Sequence, residues 1–205
     1  MGGRLRFVSD DTRLTTERRD GDGGTANIER ERVRPLLRVR QVREYRPDPP
    51  TDAQLEAITD AARWTGSSVN TQPWRFILIR DRATLDRLHE AGLPQTRSLK
   101  TAPAAVAIVM PERGSTVSHA YDEGRAAERI LIAAHLVGLA AGIAWIRREI
   151  AQTVVDALAL PEGHFVRTIV AVGNPTEAAL APKSKPGEAR LPRDHVVFEE
   201  RWRGD

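Results

Sequence analysis

The sequence predicts an α+β fold, one sheet sandwiched by helices. Two observations carry that prediction. Four short runs read as strands, RFILI (75–79), AAVAIVM (104–110), IAWI (143–146) and FVRTIVAVG (165–173), and they alternate with segments of helical periodicity. The longest such segment, YDEGRAAERILIAAHLVGLAAG from Tyr121, places Ala127, Ile130, Leu131, Ala134, Val137 and Gly138 three and four apart on one stripe, and its small residues allow another element to approach closely.

Each element has its own signal. Residues 1–27 are rich in Arg, Asp, Gly and Thr, and a stretch such as RRDGDGG (18–24) buries too little apolar surface to offset its ordering entropy. A disordered or loosely ordered tail is expected there, with the folded domain spanning 28–205. A short helix follows, with Pro35 at an early helical position where its missing N–H costs little. Pro47, Pro49 and Pro50 stop the chain from continuing that helix. Thr51 or Asp52 caps the next helix, whose inner face is Leu55, Ile58, Ala61 and Ala62 and whose stop is Gly66. The strand 75–79 leads into a helix over about 83–91. The run 104–110 carries no charge and reads as a strand buried on both faces. Residues 148–158 form a helix, and after the strand 165–173 the chain turns Pro- and Lys-rich before closing with HVVFEERW. No internal repeat is visible.

Composition narrows the function classes. A chain of 205 residues with 40% apolar and 29% charged residues is an ordinary globular domain. Lys plus Arg number 31 against 28 Asp plus Glu, a net charge of only +3, and aromatic residues make up 5%; both argue against a nucleic-acid-binding role for the arginine-rich stretches. The absence of cysteine excludes disulfides, thiolate catalysis and Cys-based metal sites. No apolar run approaches the ~20 residues of a membrane helix and no secretory h-region is visible, so a cytoplasmic protein without membrane partners is the simplest expectation. Neither GxGxxG, GxxxxGKS nor GxSxG occurs. The five histidines are scattered without HExxH spacing, and no metal site is expected. Any enzymatic chemistry is therefore expected to reside in a bound cofactor.

Three stretches remain in order along the chain. RVRQVREYR places Arg38, Arg40, Arg43 and Arg46 together, either as a solvated face or as an anion clamp of guanidinium forks. GSSVNTQPWRF (66–76) packs Ser67, Ser68, Asn70 and Gln72 in front of a buried strand, more hydrogen-bonding groups than a turn requires. PKSKPGEARLPR supplies Lys183, Lys185, Arg190 and Arg193 near the C-terminus.

In this order the chain resembles the nitroreductase family of FMN-dependent oxidoreductases. The family's R-R-S-x-R-x-[FY] motif corresponds to VRQVREY, P-S-S-x-N-x-Q-P-W to GSSVNTQPW, and A-P-x-x-x-x-V to APAAVAIVM. Its long-helix pattern is close to DEGRAAERILIAAHLVGLAAG, and its ending to RLPRDHVVFEERW. The match runs from Ile28 to Trp202. It departs where Val39 takes the first arginine's place, with Arg38 one position earlier, where Gln41 replaces a serine, where Gly66 replaces a proline, and where Ala140 and Ala141 precede Gly142.

The resemblance implies a mainly antiparallel central sheet flanked by helices, an α/β/α sandwich, in an intertwined homodimer with tightly bound FMN at the interface. Arg38, Arg40, Gln41 and Arg43 would lie along the phosphate and pyrimidine side of FMN. Ser67, Ser68, Asn70 and Gln72 belong to a loop that reaches the partner subunit's flavin, the backbone at Gly142 passes near the ring, and Arg190 binds phosphate, with Lys185 on the same loop. Arg97 and Lys100 are both candidates for the cation at the N1/O2 edge, beside Arg43. The implied activity is transfer of a hydride from NAD(P)H, through flavin N5, to a nitroaromatic, quinone or similar small acceptor in a ping-pong scheme, with no catalytic side chain nominated. A flavin storage or sensing protein of the same fold is the alternative.

Overall fold

The computed structural model describes residues 22–185 and 190–203. By compactness the chain divides into residues 1–37 and 38–205. Residues 1–21 of the expected tail lie outside the described residues. The expected boundary at 27/28 falls instead inside a helix, α1 (Asp22–Arg38), which begins within the glycine-rich stretch. Pro35 sits in the last turn of α1 rather than the first, because the helix starts earlier than apolar periodicity suggests. Exposed i,i+3 pairs support it, Glu29 with Arg32 at 3.0 Å and Glu31 with Arg34 at 2.8 Å. Its apolar residues Ile28, Val33, Leu36 and Leu37 are all exposed.

In the body, β1 (Arg75–Ile79), β2 (Ala104–Pro111), β3 (Ala140–Trp145) and β4 (His164–Gly173) form a four-stranded sheet in the order β1-β2-β4-β3, every pairing antiparallel. The sheet has helices on both faces, as the sequence predicts. Successive residues of β2 alternate between two cores: Ala104, Val106, Ile108 and Met110 face α2 (Asp52–Arg63) and α4 (Thr116–Leu136). Ala105, Ala107 and Val109 face α3 (Arg82–Ala91) and α5 (Ala151–Leu158). A strand of small and β-branched residues with no charge can be covered on both sides in this way.

The register between β2 and β4 shifts once, so that Ile108 pairs with Thr168 and Val109 with Val166. Arg167 is the extra residue of this bulge, and its side chain is turned onto the α4 face of the sheet.

α2 opens with a capping box, Thr51 Oγ1 accepting from the Gln54 N–H at 3.2 Å while Gln54 Oε1 accepts from the Thr51 N–H at 2.9 Å. The Gln54 amide also donates to the Val137 carbonyl just past the end of α4, at 2.9 Å. The start of α2 thus meets the end of α4, and the chain leaving α2 arrives at the opposite end of α4.

α4 differs from its predicted span at both ends. It begins at Thr116, with the Ser115 hydroxyl accepting from the Ser118 N–H, because the cap lies well ahead of the apolar stripe that starts at Ala127. It stops at Leu136, followed by Gly138 at φ +81°. β3 consequently starts at Ala140, not 143: the run LAAGIAW has helix-like composition but follows a glycine turn and pairs with β4. A one-turn helix, α6 (Glu177–Leu180), capped by the Thr176 hydroxyl, adds an element without a periodic signal in the sequence.

Candidate functional site

The segment 40–45 runs along the free edge of β3. Gln41 forms a parallel bridge to Ala141, the Val42 N–H donates to the Ala141 carbonyl at 2.9 Å, and the Gln41 side-chain oxygen accepts from the Ile143 N–H at 3.3 Å. This close approach explains Gly142: a Cβ there would fall 1.9 Å from the Val42 carbonyl oxygen. The Tyr45 hydroxyl, buried beneath, lies 2.8 Å from that same carbonyl and 3.2 Å from that of Ala171. Burial pushes the Tyr45 phenol above its ordinary range, and the nearby Arg43 guanidinium offsets this only in part.

Threading the segment against β3 places Arg40, with Arg38 just before the segment, at the C-terminal end of α4. There a pocket of about 290 Å³ is walled by apolar side chains, among them Val42, Leu131, Leu139 and Leu180, with Arg38, Arg40 and the half-buried His135 as its polar members. Arg40 Nη2 donates to the carbonyls of Ala179 and Ala181 at 3.0 and 3.2 Å, tying the end of α6 to the pocket. One nitrogen of the guanidinium is thereby engaged, leaving the donors on Nε and Nη1 without a hydrogen bond among the described residues. The helix end contributes carbonyl oxygens and a partial negative charge, so the guanidiniums are what makes this pocket hospitable to an anion.

The second polar stretch lies at the other end of α4. Ser67 precedes a single 3-10 turn, Ser68–Asn70, and its hydroxyl accepts from the Gln72 N–H beyond it at 2.8 Å. The Ser68 N–H donates to both carboxylate oxygens of Asp122, at 3.2 and 3.3 Å. Asp122 is 2% exposed. The side chains of Asn70 and Gln72 are exposed and make no hydrogen bond among the described residues. A second cavity of about 360 Å³ opens beside Gln72, between the end of α2 and the start of β1, with Arg63 and Arg75 on its rim. Next to Asp122, Glu123 is buried and its carboxylate engages both Nε and Nη2 of Arg167, whose guanidinium stands 5.8 and 5.5 Å from the ring centres of Trp145 and Phe165.

The sequence-predicted residues therefore fall into two groups. Arg38 and Arg40 line the pocket, with Gln41 and Gly142 in the strand edge beneath it. Ser67, Ser68, Asn70 and Gln72 share the loop at the far end of α4. Arg43, Arg97, Lys100, Lys185 and Arg190 are exposed, and part of the basic C-terminal loop, 186–189, lies outside the described residues.

A family model described as Nitroreductase family matches residues 38–106, which contain both groups' motifs. A protein of Archaeoglobus fulgidus provisionally named NADH dehydrogenase/NAD(P)H nitroreductase is 31% identical over 145 residues, 67% of this chain and 82% of that protein. The chain belongs to the nitroreductase family. Solved structures share the fold of this nitroreductase-family chain. That of an NADH dehydrogenase/NAD(P)H nitroreductase, also provisionally named, from Parabacteroides distasonis superposes with a TM-score of 0.72 at 25% identity, covering 84% of this chain and 99% of that one. A Desulfovibrio desulfuricans nitroreductase solved in complex with FMN gives 0.70 at 24% identity, covering 83% and 97%.

Sequence reasoning missed two members of these sites. His135 reads as a lone histidine, yet it lies four residues after Leu131 on the same face of α4 and lines the pocket with it. Asp122 reads as a helix cap or ion-pair residue. It does approach Arg125 Nη1 one turn on, at 3.8 Å, but it also accepts from the Ser68 N–H, 54 positions away, which no local pattern signals.

Proposed function

We propose that this nitroreductase-family chain is an FMN-dependent oxidoreductase that works as a homodimer, drawing electrons from NAD(P)H and delivering them to a nitroaromatic, quinone or similar small acceptor. The observation that carries this reading is the convergence of the motif arginine Arg40 and of Arg38, one position before the motif, on one apolar-walled pocket. Its donor set suits FMN: guanidiniums for a phosphate dianion, and apolar walls for the less polar part of the molecule. When bound, FMN supplies two-electron redox chemistry at N5, alternating between donor and acceptor in a ping-pong scheme that requires no protein acid or base.

The protein's part is to bind and orient. Arg38 and Arg40 neutralise the phosphate, aided by Arg190 from the C-terminal segment. Arg43 would contribute positive charge toward the pyrimidine edge, and Gln41 and Gly142 would fix the strand edge that borders the site. Ser67, Ser68, Asn70 and Gln72 supply donors and acceptors for the ring's polar edge. The separation of the two groups supports a dimer. From Asp122 to His135 is thirteen residues of α4, about 20 Å of axial rise, well beyond the reach of a side chain. A two-fold-related second copy brings the loop of one chain to the pocket of the other.

The purified protein is expected to be yellow, to sediment as a dimer and to bleach when NADH or NADPH is added without oxygen. A colourless protein that cannot be reconstituted with FMN would overturn the reading. A yellow protein that neither nicotinamide reduces would point instead to flavin storage.

A further inference from the structure

The loop that follows α2 has an uncommon backbone. Val69, Asn70 and Gln72 adopt φ values of 50°, 55° and 47°, the left-handed region that glycine usually fills. For β-branched Val69 this conformation is strained, and with 94% of its surface exposed no packing compensates. Within the loop, the Asn70 N–H donates to the Ser67 carbonyl at 3.1 Å and the Thr71 N–H to the Ser68 carbonyl at 3.0 Å, closing the turn on itself. Among the described residues, two groups tie the loop to the rest of the fold: the Ser68 N–H donates to Asp122, and Arg75 Nη1 of β1 donates to the Gln72 carbonyl at 3.0 Å.

Asp122 is well placed to enforce the loop's shape. It lies inside α4, where Glu123 fixes the next position by pairing with Arg167 in the β4 bulge. Arg125, one turn later, brings Nη1 to 3.8 Å from the Asp122 carboxylate. Its guanidinium also covers Gly66, where a Cβ would meet Nη2 at 2.5 Å. The family's usual proline is absent at Gly66, and Asp122 with Arg125 holds the loop entrance in its stead. Meanwhile the Asn70 amide stays outward and unbonded among the described residues.

We infer that Asp122 is a positioning residue for the cofactor site: through the Ser68 N–H it holds the strained loop in the one arrangement that presents Ser67, Ser68 and Asn70 to the flavin. This rests on the proposed function, since it requires the loop to contact FMN. Asp122 itself touches no cofactor, so its effect must pass through Asn70, and the two residues must be energetically coupled although no contact joins them.

The experiment is a double-mutant cycle, titrating FMN onto deflavinated wild type, Asn70→Ala, Asp122→Ala and the double variant, with Asp122→Asn alongside. Asp122→Ala is expected to weaken FMN binding about tenfold. Asp122→Asn retains an acceptor oxygen and is expected to recover most of that loss. Asn70→Ala is expected to cost several-fold less in the Asp122→Ala background than in wild type, because the loop no longer presents the amide; a purely structural effect of Asp122 would leave that cost unchanged. Additivity, or an Asp122→Ala variant that binds FMN as wild type does, overturns the inference while leaving the proposed function standing. An Asn70→Ala variant that binds as tightly as wild type removes the loop from the cofactor site and the inference with it. If Asp122→Ala fails to fold, Asp122→Ser, too short to reach the Ser68 N–H, takes its place in the cycle.

Discussion

The two ends of α4 achieve polar display by opposite means. At the C-terminal end, the pocket is built from relaxed parts: a strand edge in register, a glycine where backbone meets backbone, and an arginine tied to helix carbonyls. At the N-terminal end, the loop 67–72 keeps three left-handed residues outside any core, tied down by the buried Asp122 carboxylate at Ser68 and by Arg75 at the Gln72 carbonyl. The first end is stable because many contacts agree. The second is held by few, and its geometry is correspondingly easy to change without unfolding the protein. Substitutions at the pocket end should therefore cost the fold stability, and those at the loop end should leave the fold standing.

The largest effect is expected for Gly142→Ala. The new methyl carbon would meet the Val42 carbonyl at 1.9 Å, and backbone cannot rotate away as a side-chain tip can. The segment 40–45 must part from β3, at a cost of about 3 kcal/mol or more. Denaturant unfolding measures it, and a variant as stable as wild type would show that the strand edge is not fixed. Arg40→Ala comes next. It removes a phosphate partner and frees the end of α6, so FMN is expected to bind about tenfold more weakly with a stability loss of roughly 1 kcal/mol. Arg40→Lys separates the two roles, since it keeps the charge but not the fork that reaches both carbonyls. Flavin retention close to wild type with α6 loosened would assign Arg40 to charge; loss of both would assign it to geometry.

At the loop end, Val69→Asn should act in the opposite direction. Asparagine tolerates φ near +50° far better than valine, and the valine side chain packs against nothing it would lose. A stabilisation of about 0.5–1 kcal/mol is expected, seen as a higher melting temperature of the flavin-free protein. A lower one would mean that the strain is not real.

How much of this was legible in the sequence follows the same division. The strands 75–79 and 104–110 and the cap of α2, which falls on Thr51, one of the two positions the sequence offers, were readable because each depends on neighbours in sequence: apolar runs and capping chemistry. β3 was misplaced by three residues because Leu139, Ala140 and Ala141 suit a helix and only pairing with β4 makes them a strand. The bulge at Arg167 left no trace at all, since FVRTIVAVG reads as one regular strand and the extra residue exists only relative to β2. The separation of the two polar groups along α4 was equally hidden. Both lie in motifs, but the antiparallel packing of α2 on α4, signalled by the Gln54 contact with Val137, decides that they sit at opposite ends.

The smallest effect tests whether burial is what gives Asp122 its leverage, by comparison with a carboxylate that does a similar task in the open. Asp81 caps α3, accepting from the Thr84 hydroxyl at 2.7 Å and the Thr84 N–H at 2.8 Å, and it is fully exposed. These bonds, that from the hydroxyl foremost, hold its carboxyl below the ordinary carboxylate range. With the folded-state pKa below the unfolded one, the stabilisation from this cap is complete above the unfolded value and disappears as pH falls through the folded one. Asp81→Ala should therefore be less stable than wild type at neutral pH, with the difference closing in acid, while FMN affinity is unchanged. Denaturation curves at a series of pH values check the first half and a flavin titration the second. A gap that stays constant into acid would mean that the cap's charged form contributes nothing, and altered FMN binding would mean that stability and cofactor geometry are not separable in this fold.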